Sequence, residues 1–136
     1  MFCREAAARF APERKKFEAA GATMLFIGNG KPEHARWFVD ALGLGELPVY
    51  TDPRRESFKA AGLKVGILRV ASPKVVLNGL RALRGGHRQT RTKGNPWQMG
   101  GVVLVDAKGQ TRWTHIEETA GEIADPAGVL AEVKKL

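Results

Sequence analysis

Apolar residues along this chain fall either at helical spacing or in short continuous or alternating runs. Phe10 and Phe17 lie seven apart, with Ala6 and Ala7 a turn earlier, in a stretch otherwise rich in alanine, glutamate, lysine and arginine. That pattern predicts a helix over residues 3–20 with one apolar face. Pro12 removes a backbone donor inside it and predicts a kink or a break, and Gly21 predicts the stop. Residues 22–27 form an apolar run before Gly28-Asn29-Gly30, the pattern of a buried parallel strand entering a loop. Pro32 opens a second helix to Leu42, whose apolar face is Trp37, Phe38, Ala41 and Leu42 and which Gly43 and Gly45 close.

The same reasoning continues to the C-terminus. Leu47 to Tyr50 reads as a short strand. Asp52 reads as an N-cap with Pro53 at the first position of a helix over 54–61 that Gly62 ends. Residues 65–70 are apolar but too short to assign. Ser72-Pro73 opens a helix with Val75, Val76, Leu77, Leu80 and Leu83 mostly on one side, ended by Gly85-Gly86. Residues 86–96 form a polar, basic loop. Val102 to Asp106, a turn at Ala107-Lys108-Gly109-Gln110, and the alternating Thr111 to Ile116 around Trp113 predict a β-hairpin. Residues 126–135 close the chain as a helix with Val129, Leu130 and Val133 inward. Strands alternating with helices define an α/β layered fold.

At 136 residues the chain is expected to form one domain with a sizeable core, and its 43% hydrophobic and 26% charged residues are ordinary for a soluble protein. No apolar run has the length of a membrane span and no signal-peptide pattern opens the chain, so no membrane partner is expected. The net charge of +8 raises nucleic acid as a partner. The one local cluster is Arg81, Arg84, His87, Arg88, Arg91 and Lys93, without interleaved aromatics except Trp97, and no nucleic-acid motif accompanies it, so nucleic acid is not the expected partner. The three histidines are far apart and share no metal spacing with the cysteine, so neither a metal nor a cofactor is expected. Gly28-Asn29-Gly30 is too short for a phosphate-binding loop.

The single cysteine, Cys3, excludes an intrachain disulfide and points to a reducing compartment, while a homodimer bridged through Cys3 stays open. A lone cysteine is ordinarily a small buried hydrophobe. Its position argues otherwise: it begins a helix, where unpaired N–H groups and the macrodipole stabilise a thiolate, and Arg4 follows it. These features predict a depressed thiol pKa.

Several stretches together resemble the peroxiredoxin-like branch of the alkyl hydroperoxide reductase/thiol-specific antioxidant (AhpC/TSA) group, within the thioredoxin-like superfamily. They are Phe2-Cys3-Arg4-Glu5-Ala6 opening the first helix, Leu25-Phe26-Ile27-Gly28 as the next strand, Leu47 to Asp52 before a short helix, and Pro96-Trp97-Gln98-Met99-Gly100-Gly101 running into Val102 to Asp106 with Gly109 in the turn. The resemblance spans nearly the whole chain. It implies a single thioredoxin-like domain over 1–136: a central mixed sheet flanked by helices, here lacking the usual first strand, which in the family lies mid-sheet. It also implies thiol-dependent redox chemistry that reduces a peroxide or a disulfide, with electrons from a thiol donor of the thioredoxin, glutaredoxin or glutathione type, in the cytoplasm. Phe2-Cys3-Arg4 looks like the end of a C-x-x-C-R motif. Cys3 then matches the second, resolving cysteine, and the first would precede Met1. Met1 is therefore expected to be an internal residue of a longer reading frame. Carried over in this way, Cys3 and Arg4 are the catalytic candidates, and Trp97, Gln98, Gly100 and Gly101 form the facing wall where substrate docks. The family's cis-proline has no counterpart at Gly101, so docking differs there. The alternative from another class is a non-catalytic thioredoxin-like binding protein whose basic 81–93 segment contacts an acidic partner.

Overall fold

The computed structural model describes residues 2–63, 65, 73–85 and 97–136. The first predicted helix forms as two, broken where Pro12 stands: α1 (Phe2–Phe10), a 3-10 turn over Ala11–Glu13, and α2 (Arg14–Ala19). Proline cannot donate to the preceding turn, and the tighter turn absorbs the loss. Phe10 and Phe17 nevertheless stay on one side, buried, with ring centroids 6.3 Å apart. Gly21 ends the pair with φ +81°, a conformation that a side chain resists.

β1 (Phe26–Gly28) follows, then α3 (Pro32–Leu42), β2 (Val49–Thr51) and α4 (Glu56–Ala60). α3 has the predicted bounds, with Pro32 in its first turn and Gly43 left-handed at its end. α4 starts a turn later than predicted. Arg55 is left-handed at its N-cap, and Asp52 reaches across the turn to accept from both the amide (2.7 Å) and the hydroxyl (2.6 Å) of Ser57. The Ser57 hydroxyl is the main reason that the Asp52 carboxyl titrates below its ordinary range. α5 (Pro73–Arg84), β3 (Gly101–Val105), β4 (Thr111–Ile116) and α6 (Pro126–Val133) complete the order. Asp125 caps α6 by accepting from the Gly128 amide at 3.2 Å. The predicted loop over 86–96 and most of the unassigned 65–70 run lie outside the described residues; Val65 pairs with Gln98 in an isolated antiparallel bridge.

The strands form two ladders rather than one continuous sheet. β1 and β2 are parallel, with Phe26 opposite Val49 and Gly28 opposite Thr51. β3 and β4 are antiparallel, with Val102 opposite His115 and Leu104 opposite Trp113, and a bulge after Leu104. Asp106 sets the hairpin turn by accepting from the Lys108 and Gln110 amides, both at 2.9 Å. Among the described residues β1 and β3 share no ladder.

One helical layer serves both ladders. Phe10 and Phe17 pack with Val129 and Val133 of α6 and with Val102, Leu104 and Trp113 of the hairpin. Ala7 packs with Leu44 and Leu47 of the loop before β2 and with Val49 of the other ladder, and Met24 and Phe26 touch both clusters.

A buried carboxylate, paired with two half-exposed arginines, fixes α5 against α1. Glu5 is only 4% exposed. It receives Arg9 at 3.0 Å from its own helix and Arg81 Nε at 2.9 Å from α5. Arg81 also donates to the Gly121 carbonyl at 2.6 Å and to Asn78 at 3.1 Å, while Asn78 donates to the Ala120 carbonyl at 3.0 Å. The expectation that α5 turns its apolar side inward is corrected. Asn78, Arg81 and the small, fully buried Ala82 face the body, and Val76, Leu77, Leu80 and Leu83 are exposed.

Breaking a buried pair from one side costs far more than removing both charges, because the remaining ion loses its partner without regaining water. Arg81→Met is expected to lower stability by about 2–4 kcal/mol, less than a fully buried pair because Arg81 keeps some solvent and Arg9 remains. Adding Glu5→Gln to it should return part of that loss. Urea unfolding of the two variants checks this; a double variant less stable than the single one would contradict it.

Candidate thiol site

Three segments meet at the start of α1. They are the first turn of the helix with Phe2 and Cys3, the stretch through Gly100 that enters β3, and the loop after β4 with Glu117 and Gly121. A Cβ placed on Gly121 would fall 2.6 Å from the Phe2 ring, and one placed on Gly100 would fall 2.7 Å from the Glu117 carboxylate. Glycine at these two positions is what lets the three segments close on one another. The Glu117 amide also donates to the Gly100 carbonyl at 3.2 Å.

Cys3 lies in the first turn of α1 and has an open side to solvent. Its remaining surroundings are dense with protein atoms, and desolvation pushes the thiol above its ordinary pKa. The amino-terminal charge pulls it down, the negative charge of Glu117 pushes it up, and the backbone N–H of Cys3 adds a smaller lowering, so that desolvation is offset only in part. Water on the open side tempers the penalty but does not reverse its sign. The predicted depression of the thiol pKa is thereby corrected. A helix N-terminus acts through its own few N–H groups, whereas desolvation acts through everything packed around the thiol, and here the second is larger. Arg4 does not supply the expected positive charge either: its guanidinium lies 4.5 Å over the ring of Trp37 in α3, a cation–π contact.

Glu117 is the residue that sequence reading passed over. Beside Glu118, and followed by Glu122, it looked like one of several loop acids without a partner. In the structure burial raises its carboxyl to about 7. The backbone N–H groups of Gly100 and Gly121 and the nearby His115 pull it down, and Glu122 adds slightly to the rise. His115 meets the Glu122 carbonyl at 3.2 Å and stacks on Trp113. The only sequence signal was position: Glu117 is the first residue after a strand that must pair with the segment entering from Gly100.

The four wall residues have separate fates. Gly100 lies against Glu117 and so belongs to the thiol site. Gly101 opens β3, where a Cβ would meet the His115 carbonyl and the Leu63 side chain at 2.5 and 2.6 Å; its lack of a side chain serves strand packing. Gln98 pairs with Val65 and donates from its side chain to the Met99 carbonyl at 3.1 Å. Trp97 is exposed. Of the basic 81–93 segment, Arg81 is committed to Glu5, Arg84 is exposed, and residues 86–93 lie outside the described part. Among the described residues no group of His, Cys, Asp and Glu is placed to hold a metal, and no helix is long and apolar enough to cross a membrane.

An α/β scaffold with a thiol in the first turn of its leading helix, a parallel strand pair and a closing hairpin plus helix is a thioredoxin-like fold. Residues 9–119 match the model of the AhpC/TSA antioxidant enzyme family, and the chain belongs to that family. The match begins after Cys3 and Arg4. The chain is also 29% identical over 136 residues to a thioredoxin-like protein of Arabidopsis thaliana, AAED1, described as chloroplastic; the similarity covers 93% of this chain and 53% of that protein. The chain thus spans about half the length of this curated relative. No solved structure matches it.

The carboxyl of Glu117 sets a pH dependence of stability. The unfolded chain releases this proton near the ordinary carboxylate value and the folded protein only near 7, so stability falls as pH rises from about 4.5 through 7. Glu117→Gln is expected to be more stable than the parent at pH 8 by about 1–3 kcal/mol. The difference should shrink toward the acid side. Denaturant melts of both proteins across this range provide the check; a difference that does not change with pH would contradict it.

Proposed function

We propose that the protein is a thiol-dependent oxidoreductase in which Cys3 exchanges with a disulfide, or reduces a peroxide, using electrons from a thiol donor of the thioredoxin, glutaredoxin or glutathione type. The observation that carries this reading is the Cys3 thiol, open on one side in the first turn of α1 and electrostatically coupled to the titrating Glu117, on an AhpC/TSA scaffold. A reducing compartment such as the cytoplasm suits a single free thiol.

A raised pKa favours the resolving place in such a cycle over the first attack. The attacking species is the thiolate, and a thiol that holds its proton is slow to strike a substrate directly. A donor thiol first opens the substrate disulfide, releasing one substrate thiol and forming a mixed disulfide. Cys3 then gives up its proton and attacks the donor sulfur. A bond forms between Cys3 and the donor, and the second substrate sulfur leaves and takes a proton. A second donor thiol attacks that bond, returning Cys3 to the thiol and leaving a donor disulfide. One substrate disulfide and two donor thiols become two substrate thiols and one donor disulfide. With a peroxide, the slower route for a thiol that holds its proton, Cys3 takes one oxygen to become the sulfenic acid and releases the alcohol; a donor thiol condenses with it, expelling water and leaving a Cys3–donor disulfide, and a second donor thiol attacks that bond, returning Cys3 to the thiol and leaving a donor disulfide. Glu117, titrating near neutrality, accepts the proton from Cys3 and returns it to the leaving sulfur or oxygen.

The test is the pH dependence of Cys3 alkylation, read by intact mass, together with turnover of a glutathione mixed disulfide and of an organic hydroperoxide. The expected alkylation midpoint lies above the ordinary thiol value of about 8.5 and moves down in Glu117→Gln. Turnover should exceed that of Cys3→Ser and favour the disulfide. Turnover of both substrates no faster than the Cys3→Ser control would end the proposal.

A further inference from the structure

The chain has three asparagines, and two of them precede a glycine: Asn29-Gly30 and Asn78-Gly79. The third, Asn95, precedes Pro96. The amide carbon of an asparagine side chain is within reach of the backbone nitrogen of the next residue. Glycine makes attack by that nitrogen easiest, because no Cβ crowds it. Proline blocks the attack, because its nitrogen has no hydrogen to give up. Residue type alone therefore leaves two candidate sites for this reaction, and the fold separates them.

Asn78 and Gly79 lie in the middle of α5. Helical backbone holds the Gly79 nitrogen away from the Asn78 side chain and commits its hydrogen to the carbonyl four residues back. The Asn78 side chain also donates to the Ala120 carbonyl at 3.0 Å and accepts from Arg81 at 3.1 Å, so reaction there would break both bonds. Asn29 and Gly30 instead lie in the bend between β1 and α3. The Gly30 nitrogen there belongs to no helical turn and no ladder. The packing also decides which residue follows Asn29. A Cβ on Gly30 would fall 2.6 Å from Nδ1 of His34, the ring nitrogen that accepts the Lys31 amide at 3.0 Å. A side chain at position 30 would push the ring from that bond, so the glycine that exposes Asn29 to attack is one that the start of α3 requires.

We propose that Asn29 is a site of spontaneous deamidation in the folded protein, giving an aspartyl and an isoaspartyl form, while Asn78 is protected. The Gly30 nitrogen attacks Cγ of Asn29. The new N–Cγ bond closes a succinimide, the Cγ–Nδ2 bond breaks, and the Gly30 amide hydrogen leaves with that nitrogen as ammonia. Water then opens the ring. Addition at Cγ breaks the new bond and gives aspartate. Addition at the main-chain carbonyl breaks the original peptide bond and gives isoaspartate, with the chain running through Cγ. One water is gained and one ammonia lost, and nothing is oxidised or reduced. The isoaspartyl form adds one backbone atom between two anchored points. One is the Gly28 carbonyl, which accepts the Asp52 amide at 2.7 Å, and the other is α3, whose Phe38, Val39 and Leu42 pack on the cluster around Ala7. The reaction needs only water and is independent of Cys3.

The test is incubation of the full folded chain at mildly alkaline pH, beside the same chain unfolded in guanidinium chloride. Intact mass, peptide mapping and methylation by a protein isoaspartyl methyltransferase read the products. The folded protein is expected to gain about one dalton at Asn29, with methylatable isoaspartate there, at a rate about tenfold or more above that at Asn78, which must wait for α5 to open. In the unfolded chain the two sites should react at similar rates. Asn29→Gln should remove the mass gain from the folded protein, because ring closure from the longer side chain is slower; circular dichroism establishes that this variant is folded. Cys3→Ser should leave the mass gain unchanged. Three results would overturn the proposal: a folded protein that stays unmodified while the unfolded chain reacts, equal rates at Asn29 and Asn78 in the folded protein, or a mass gain that Asn29→Gln leaves intact. A preference for Asn29 that persists undiminished in the unfolded chain would overturn it as well, because neighbouring residues and not the fold would then set the contrast.

Discussion

The contact between Glu5 and Arg81 is the constraint on which the arrangement of the described residues depends. A carboxylate with so little exposure has no water to solvate it, so its neighbours must supply donors, and they come from two helices. Arg81 then satisfies two further acceptors, Asn78 and the carbonyl of Gly121. This single side chain therefore joins α1, α5 and the loop after β4. Because α1 is held against that loop, Phe2 meets Gly121, and Cys3 comes close enough to Glu117 for their charges to interact. The thiol site follows from an ion pair in the same first turn of the helix.

Local chemistry was readable from the residues alone. Pro32 and Gly43 bound α3, and Pro12 broke the leading helix where it should. The hairpin from Gly101 to Ile116 followed from its alternation around Trp113 and from the Asp106-to-Gly109 turn. Phe10 and Phe17 form the core because their spacing puts them on one face. The family resemblance rested on these same local features, which is why it held.

What could not be read depends on the third dimension. The apolar period of α5 shows that a stripe exists, but not that Asn78 and Arg81 hold the opposite side inward. The division of the strands into two ladders depends on pairings between distant segments. The direction of the thiol pKa was misjudged for the same reason. The helix terminus is visible in sequence, while desolvation and the approach of Glu117 arise only when the chain closes on itself. Glu117 itself resembled its neighbours Glu118 and Glu122 in every respect except where the fold places it.

The raised pKa of Cys3 has a consequence for energetics rather than rate. Reducing any disulfide that Cys3 forms consumes a proton for each thiol that stays protonated, so the reduction potential of that couple falls as pH rises. An ordinary thiol begins to lose this dependence near its own pKa. Because Cys3 holds its proton further up the scale, its couple stays linked to pH across a wider range. Above the ordinary thiol pKa, rising pH therefore lowers the potential of any disulfide formed by Cys3 further than that of a disulfide between ordinary thiols.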